Sequence, residues 1–260
     1  MFRISSFGFP ISSLHVTLNY MLRKPPGVFI TGTDTGVGKT YVAALLAREL
    51  TAAGKKVGVY KPVASGCRKE KSRLVSDDAV ALWEAAGKQG DFKRVCPQCF
   101  AAPLAPHLAA RAEGQRVDAE LLRSGVDYWR KRSDFVIVEG AGGLMSPITE
   151  DEYVADLALD LGYPLVVVAA NRIGVINQTL QTLIVAETFR GGLPIAGVIL
   201  NDVSPDDVAS HGGDPSRTAN RVELAARCIP PILGSVGWKS AVFDAPVEWL
   251  KIAAAERGRE

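Results

Sequence analysis

The sequence predicts an α/β fold, a single domain with a mostly parallel sheet and helices on both faces. Short β-branched runs alternate with helix-length amphipathic segments from Val28 onward, which is typical of a parallel sheet covered on both sides. The first of these runs turns through glycines directly into a helical pattern. The chain has 260 residues, of which 47% are hydrophobic and 22% charged, and this is enough for one large domain with a buried core.

Six runs are predicted to form strands and seven segments to form helices. The first strand begins at Val28, and the others are Val57–Tyr60, Phe135–Val138, Leu165–Val168, Ala196–Leu200 and Ile232–Gly234. The helices span about 38–53, 76–87, 119–132, 152–161, 175–190, 216–227 and 246–257. Ligands of such sheets bind in the crevice at the carboxyl ends of the strands, so the residues that follow each strand are the candidate site.

Residues 1–25 precede the first strand and differ in composition from the rest of the chain. They contain no Asp or Glu and several serines, together with Arg3, Arg23 and Lys24. This weakly resembles an organellar transit sequence, but Met21 stands just before the first strand and could be the true start. We expect residues 1–25 to be a disordered or untranslated extension and residues 26–260 to form the domain.

Bulk charge and cysteine content restrict the classes of partner and compartment. A net charge of +2 is too small to argue for nucleic acid or a membrane surface, and no apolar run approaches the length of a membrane span. Four cysteines in a chain of this size are not a disulfide framework, which favours a reducing, cytoplasmic compartment. Cys96-Pro97-Gln98-Cys99 has zinc or redox spacing, but no second Cys/His pair lies nearby. We interpret it as two incidental thiols and predict no metal site there.

The first strand and the loop after it form the most informative stretch, Val28–Thr40. It has the order strand, phosphate loop, helix, in which backbone N–H groups and the helix N-terminus hold a phosphate chain. Lys39 would reach the β- and γ-phosphates and the Thr40 hydroxyl would bind Mg²⁺. The spacing departs from G-x-x-x-x-G-K-[ST], since Thr33 stands at the first glycine position and Gly32 lies one residue earlier. The alternative is a Gly/Thr turn with a solvated lysine.

Polar residues also follow the next strands. Lys61 lies at the end of the second strand, where it is either a solvated lysine or a charge-stabilising partner in phosphoryl transfer. Asp77 and Asp78 follow Ser76, and capping explains both acids without a ligand. Glu139 directly follows the third strand, as a second magnesium ligand would, and the glycines after it leave room for backbone N–H groups to approach a ligand.

The later strands offer two further candidate ligand positions. After the fourth strand, 170–178 run into a helix whose opening N–H groups can hold a carboxylate, although an ordinary turn is the alternative. Asn201 follows the fifth strand and could pair with an adenine edge or form an Asx turn. His107 has no partner visible in the sequence, and we assign it no catalytic role.

Five of these motifs, in the same order, resemble the dethiobiotin synthetase family over about residues 27–240. They are T-G-T-D-T-G-V-G-K-T (31–40), K-P-V-A-S-G (61–66), E-G-A-G-G (139–143), the G-x-I-N turn at 174–177, and P-I-L-G-S-V-G-W (231–238). The resemblance implies a P-loop NTPase-like fold and closure of a ureido ring. In that reaction 7,8-diaminononanoate takes up CO₂ as a carbamate, the carbamate attacks the γ-phosphate of ATP, and the second amine displaces phosphate.

The resemblance also implies residue roles, a Mg²⁺ cofactor with ATP as co-substrate, and a homodimer with shared sites in the cytoplasm. Lys39 and Lys61 would be catalytic, and Thr40, Asp78 and Glu139 would hold the metal. Nucleotide and metal contacts would come from Gly36, Val37, Gly38, Lys39, Thr40, Tyr41, Asp78, Glu139, Gly140, Ala141, Gly142, Asn201, Asp202, Gly237 and Trp238. Substrate contacts would come from Thr35, Ser65, Gly142, Gly143, Gly174, Val175, Ile176 and Asn177, the last four from the neighbouring subunit.

Three positions depart from the family pattern, and two other classes compete with it. Gly36 stands where many members have Glu, Arg172 where Lys is more frequent, and Gly237 where the pattern has proline. A partner-regulated ATPase switch of the ParA/MinD type carries a second lysine early in the loop, but Asp34 stands at that position. A cobyrinate-type amide synthase needs an attached glutaminase domain, for which no length remains.

Overall fold

The computed structural model describes residues 24–205 and 216–255, which contain ten strands and nine α-helices. The strands are β1 (Gly27–Gly32), β2 (Val57–Tyr60), β3 (Val63–Ala64), β4 (Arg68–Glu70), β5 (Arg73–Val75), β6 (Gln98–Cys99), β7 (Phe135–Gly143), β8 (Leu165–Ala170), β9 (Ile195–Asn201) and β10 (Ile232–Val236). The helices are α1 (Lys39–Ala52), α2 (Asp77–Ala85), α3 (Pro106–Ala112), α4 (Ala119–Ser124), α5 (Asp127–Arg130), α6 (Val154–Leu161), α7 (Val175–Thr188), α8 (Ser216–Arg227) and α9 (Trp249–Ala255).

Six of the strands form one parallel sheet in the order β10-β9-β8-β1-β7-β2. The six predicted strands are these six, so the predicted α/β class with a mostly parallel sheet is confirmed. Strand β1 lies between β7 and β8, so the chain extends to both sides of it. The loop that follows β1 therefore opens at the reversal of strand order, where ligands of such sheets bind.

Continuous burial explains why the central strands are apolar without alternation. Side chains of β1, β7 and β8 are essentially inaccessible to solvent from Val28 to Ile30, from Phe135 to Val138 and from Leu165 to Ala170. Because both faces of a parallel sheet are covered, polar residues have no solvent-facing position in these strands. Polar side chains therefore occur mainly at the carboxyl ends of these strands, where the site lies.

The register between strands fixes which strand ends meet. Ile30 of β1 pairs with Glu139 of β7, and Tyr60 of β2 pairs with Val138. The residue after Tyr60, which is Lys61, therefore reaches the level of Glu139. This alignment of three strands was not readable from the sequence, because register depends on partners distant in the chain.

The predicted helix over 119–132 is wrong in one respect, since the structure has two helices there, α4 and α5. Gly125 packs so closely on Tyr60 that an added Cβ would lie 2.3 Å from the phenolic oxygen. The Tyr60 hydroxyl donates hydrogen bonds to the carbonyls of Leu121 and Leu122, at 2.9 and 3.1 Å. Tyr60 therefore packs against the chain at the point where α4 ends.

Several other boundaries differ from prediction. The helix predicted over 175–190 ends at Thr188 and continues as a 3₁₀ turn, Phe189–Gly191, and the helix predicted from 246 begins at Trp249. Helix α3 and the short pairs β3–β6 and β4–β5 were not predicted. Residues 1–23 of the proposed extension lie outside the described residues, whereas Lys24 donates hydrogen bonds to the carbonyls of Leu161 and Gly162. Among the described residues, no helix is long and apolar enough to cross a membrane.

Candidate active site at the strand ends

The loop between β1 and α1 is shaped by two glycines in the left-handed region. Gly36 has a φ of 76° and Gly38 a φ of 90°, which side chains rarely adopt. An added Cβ at Gly38 would lie 2.1 Å from Nδ2 of Asn201, whereas at Gly36 it would meet nothing within 4 Å. Gly38 is also the N-cap of α1. The first N–H groups of α1 have no partner within the helix, so the loop and helix end together form an anion site.

Lys39 curls back over this loop. Its Nζ donates a hydrogen bond of 2.9 Å to the carbonyl of Asp34, and only 7% of the residue is exposed. Burial lowers the pKa of Lys39 below its ordinary value, and the Glu139 charge opposes this only in part. The ammonium is thus held against the loop that would carry the phosphate chain.

A second lysine lies between two carboxylates at the floor of the crevice. Nζ of Lys61 lies 2.6 Å from Oε1 of Glu139 and 2.7 Å from Oδ2 of Asp78. Burial by itself lowers the pKa of Lys61, but the two carboxylates outweigh it and raise the pKa above its ordinary value. Burial likewise raises the pKa of Asp78, but Lys61 reverses this and the net shift is downward. Lys61 and Asp78 therefore stabilise each other in their charged forms.

The oxygen groups around Lys61 fit a divalent cation. The Thr40 hydroxyl donates a hydrogen bond of 2.8 Å to Oε1 of Glu139, so one hydroxyl and two carboxylates converge. Oε2 of Glu139 is buried and has no hydrogen-bond partner among the described residues. A buried carboxylate oxygen is costly without a partner. Hard oxygen donors of this kind are those that Mg²⁺ prefers.

These groups open into one cavity of about 1230 Å³. Its wall includes Lys39, Thr40, Lys61, Asp78 and Glu139, so the structure brings the predicted charged residues together. Of the other predicted site residues, Thr35, Gly36, Gly38, Tyr41, Ser65, Ala141 and Gly142 also line it. The remaining ones lie outside this cavity: Val37, Gly140, Gly143, Gly174, Val175, Ile176, Asn177, Asn201, Asp202, Gly237 and Trp238.

Several residues of the cavity wall were not predicted from the sequence. Ala44 and Arg48 continue the Thr40 face of α1, and Ala81, Glu84 and Ala85 face them from α2. The spacing of 40, 44 and 48 is that of one helix face and could have identified them. Val63, Ala64, Ser146 and Pro147 were also not predicted. Residues 103–106, which line the cavity too, belong to a P-x-x-P-H segment (103–107) that resembles a substrate-side loop of the family the motifs indicate.

Three of the residues predicted to contact the nucleotide or the far carboxylate of the substrate have defined positions in the structure. Asn201 donates from Nδ2 to the carbonyl of Val37, at 2.9 Å, and so lies against the phosphate loop. Tyr41 donates from its hydroxyl to the carbonyl of Ser240, at 2.6 Å, which ties α1 to the loop after Trp238. Gly174, with a φ of 96°, is the N-cap of α7, and the helix opens at Val175.

Sequence comparisons agree on one family. The chain matches the family model described as an AAA domain over residues 26–245. It is 41% identical over 232 residues to the ATP-dependent dethiobiotin synthetase BioD of Rhodopirellula baltica, covering 84% of this chain and 88% of that protein. It is 46% identical over 200 residues to that of Anaeromyxobacter dehalogenans strain 2CP-C, covering 76% and 84%. It is 35% identical over 211 residues to BioD 1 of Escherichia coli K12, covering 81% and 89%.

Solved structures share the fold at low sequence identity. The signal recognition particle receptor FtsY from Elizabethkingia anophelis in complex with GDP has a TM-score of 0.51 and 16% identity, covering 91% of this chain and 65% of that one. The pNOB8 ParA bound to nonspecific DNA has a TM-score of 0.50 and 14% identity, covering 88% and 90%. At these identities the likeness shows the P-loop NTPase-like fold alone.

Proposed function

The chain belongs to the family of ATP-dependent dethiobiotin synthetases, and we propose how its residues divide the work of that enzyme. The reaction is the ATP-dependent carboxylation and ring closure of 7,8-diaminononanoate with CO₂, which yields dethiobiotin, ADP and phosphate in biotin biosynthesis. The observation that carries the assignment of roles is the convergence of Lys39, Thr40, Lys61, Asp78 and Glu139 on one cavity.

ATP is proposed to bind with its phosphates on the loop at Gly36–Thr40. Loop N–H groups and the N-terminus of α1 would hold the phosphate oxygens, and Lys39 would move from the Asp34 carbonyl to the β- and γ-phosphates. The base would lie towards Asn201, Asp202, Gly237 and Trp238. Asn201 already contacts the loop through Val37, which supports a base close to this strand end.

Mg²⁺ is proposed to be held by Thr40, Asp78 and Glu139, and when bound it would neutralise charge on the ATP phosphates. Lys61 now bridges the two carboxylates. Release from either one would direct its ammonium towards the γ-phosphate and the substrate carbamate. Lys61 is thus the side chain whose partners must change between the free and the substrate-bound enzyme.

The chain is proposed to act mainly by positioning and charge neutralisation. The carbamate is already a nucleophile and the carbamic–phosphoric anhydride is already activated, so no general base is required for the attack on phosphorus. Lys39 and Lys61 would stabilise the charge that develops on the transferred phosphoryl group. Thr35, Ser65, Gly142 and Gly143 would orient the diamine end of the substrate beside it.

The far carboxylate of the substrate is proposed to bind at Gly174, Val175, Ile176 and Asn177 of a second subunit. These residues lie outside the cavity of their own chain, at the N-terminus of α7, where the N–H groups of Ile176 and Asn177 have no partner within the helix and suit a carboxylate. The N–H of Val175 donates to the carbonyl of Arg172. Ile173, which precedes α7, and Ile184 within α7 are 85% and 61% exposed, which supports burial against a second copy. We also propose a cytoplasmic location, which fits four cysteines that are free thiols.

The testing experiment measures phosphate release with MgATP and bicarbonate, with and without 7,8-diaminononanoate, while mass spectrometry follows the product. We expect phosphate only with the diamine, at one per cyclic urea formed. Release that ignores the diamine, or that a protein or membrane stimulates instead, would support a ParA/MinD-type switch. Against that alternative, Oδ1 of Asp34 accepts the N–H of Thr35, so an acid within the local turn stands where such switches have lysine.

A further inference from the structure

The two thiols of the C-x-x-C segment lie against each other. Sγ of Cys99 lies 3.6 Å from Sγ of Cys96, and both residues are half-buried. They line a cavity of about 390 Å³ that is separate from the catalytic one. The C-x-x-C segment, which the sequence led us to interpret as two incidental thiols, thus brings its two sulfur atoms into contact.

The cavity beside the thiols is positively charged. Arg73 and Lys93 line it together with both cysteines. No carboxylate of the described residues lies within ion-pair distance of either cation, and the cavity wall contains no acidic side chain. Such a cavity favours an anionic small molecule over a neutral or cationic one.

The thiol segment is bonded directly to a strand end of the catalytic site. The N–H of Lys61 donates a hydrogen bond of 2.8 Å to the carbonyl of Val95, the residue before Cys96. Cys99 pairs in register with Ala64, the residue before Ser65. The same cavity is lined by Ser76, the N-cap of the helix that carries Asp78. A shift of residues 95–99 would therefore displace Lys61 directly, Ser65 through its neighbour Ala64, and Asp78 through the N-cap Ser76.

We propose that Cys96 and Cys99 are a site of reversible disulfide modification by an anionic low-molecular-weight disulfide such as glutathione disulfide, and that the modification lowers turnover. The Cys96 thiolate attacks one sulfur of the oxidant, forming a mixed disulfide and releasing one thiol. The Cys99 thiolate then attacks Sγ of Cys96 and releases the second thiol. Two protein thiols lose two protons and two electrons, and the oxidant is reduced to two thiols.

The order of the two cysteines follows from their surroundings. A hydrogen bond from Cys67 lowers the pKa of Cys99, but the bond with Cys96 and burial outweigh it and raise the pKa to about 12. The Cys99 thiol is directed at Sγ of Cys96, at 3.6 Å, so once Cys96 carries the mixed disulfide Cys99 is placed to attack it. Closing the bond shortens the Sγ–Sγ separation from 3.6 Å to about 2.05 Å, so the segment 95–99 has to change conformation in its side chains or its backbone.

The test equilibrates the full-length enzyme with glutathione disulfide and maps the cysteines by alkylation and mass spectrometry. We expect one intramolecular disulfide within the peptide that contains 96–99, a turnover several-fold lower, and full recovery with dithiothreitol. Cys96→Ser and Cys99→Ser should keep their turnover after the same treatment. Two variants are used so that a folding defect in one of them does not prevent the test. Cys228→Ser is the matched control and should respond as the unsubstituted enzyme does.

Three results would overturn the proposal: no disulfide at 96–99, a disulfide between Cys67 and Cys99 instead, or the expected disulfide with unchanged turnover. The turnover measurement rests on the synthetase activity, but the mass measurement does not. If the chain lacked synthetase activity, reduced and oxidised samples would both show no turnover. If only this proposal were wrong, the two samples would have equal turnover or the oxidised sample would lack the disulfide.

Discussion

At the scale of single residues, Lys61 is the clearest link between geometry and chemistry. Its ammonium is buried and contacts Glu139 and Asp78, two of the three side chains proposed to hold the metal. A lysine that only balanced buried charge would contribute to stability but not to the transition state. The two possibilities differ in what its removal does to turnover.

We predict that Lys61→Ala lowers turnover by about 10³-fold, because it removes a cation that stabilises charge on the transferred phosphoryl group. Steady-state phosphate release at saturating MgATP and diamine measures this. Lys251→Ala is the control, since the Lys251 side chain is 78% exposed and pairs with Glu248 at the surface. Near-normal turnover of the folded Lys61→Ala enzyme would remove its catalytic role.

Gly38 allows a second test at this scale. Backbone strain at positive φ can be separated there from the clash of an added Cβ with Asn201. Gly38 and Gly54 both have positive φ, 90° and 78°, but only at Gly38 would a Cβ meet Asn201. We predict that Gly54→Ala costs about 1 kcal/mol of stability through backbone strain alone. Gly38→Ala should in addition weaken ATP binding by at least about tenfold, because the phosphate loop must shift.

Calorimetric titration with ATP and urea unfolding of both alanine variants give the comparison. Equal ATP affinity in the two variants would show that the contact between Gly38 and Asn201 does not shape the nucleotide site. Gly38→Ala should weaken ATP binding less in an Asn201→Ala background than in the unsubstituted enzyme, because the clash is then absent.

At the scale of elements, α2 carries Asp78 to the site from its first turn. Ser76 caps this helix by accepting the N–H of Ala79 at 3.3 Å, and Asp77 and Asp78 lie at its positive end. The sequence pattern therefore explains the helix without a ligand. The contact between Asp78 and Lys61 shows that the same turn also serves the candidate site.

We predict that Ser76→Ala lowers the free energy of unfolding by about 1 kcal/mol and raises the Mg²⁺ concentration needed for half-maximal activity several-fold. Asp118→Ala is a matched control, because Asp118 caps α4 by accepting the N–H of Leu121 and lies outside the cavity. It should lose similar stability with an unchanged Mg²⁺ requirement. Equal Mg²⁺ requirements in the two variants would contradict a positioning role for this cap.

At the scale of the whole molecule, the proposed site is complete only in a pair of subunits. The charged cavity belongs to one chain, and Gly174–Asn177 lie outside that cavity. A site shared in this way can be tested by mixing variants that are defective in different halves.

We predict that Lys61→Ala and Asn177→Ala, each impaired alone, regain activity when their subunits are exchanged. In an equal mixture about a quarter of all sites would receive both intact halves. Lys61→Ala mixed with Glu139→Gln should regain nothing, because both changes affect the same half. Absence of recovery in the first mixture, with subunit exchange demonstrated by native mass spectrometry, would place the whole site within one chain.

The sequence by itself determined the class of fold, the six strands of the central sheet and the phosphate loop, because each depends on residues that are neighbours in the chain. Buried parallel strands need continuous apolar runs, and a loop that turns at Gly38 needs a residue tolerant of positive φ. Lys61 follows β2 as predicted, whereas Glu139 was predicted to follow a strand that ends at Val138 and lies within β7, which continues to Gly143. Asp78 opens α2, and only the resemblance to the family distinguished it from Asp77.

Only the tertiary structure decided the strand order, the register that brings Lys61 to Glu139, and the end of α4 at Gly125, against Tyr60. It alone showed that Cys96 and Cys99 touch and that Val95 bonds to Lys61. Each of these depends on packing between segments far apart in the chain, whose contacts no local pattern encodes.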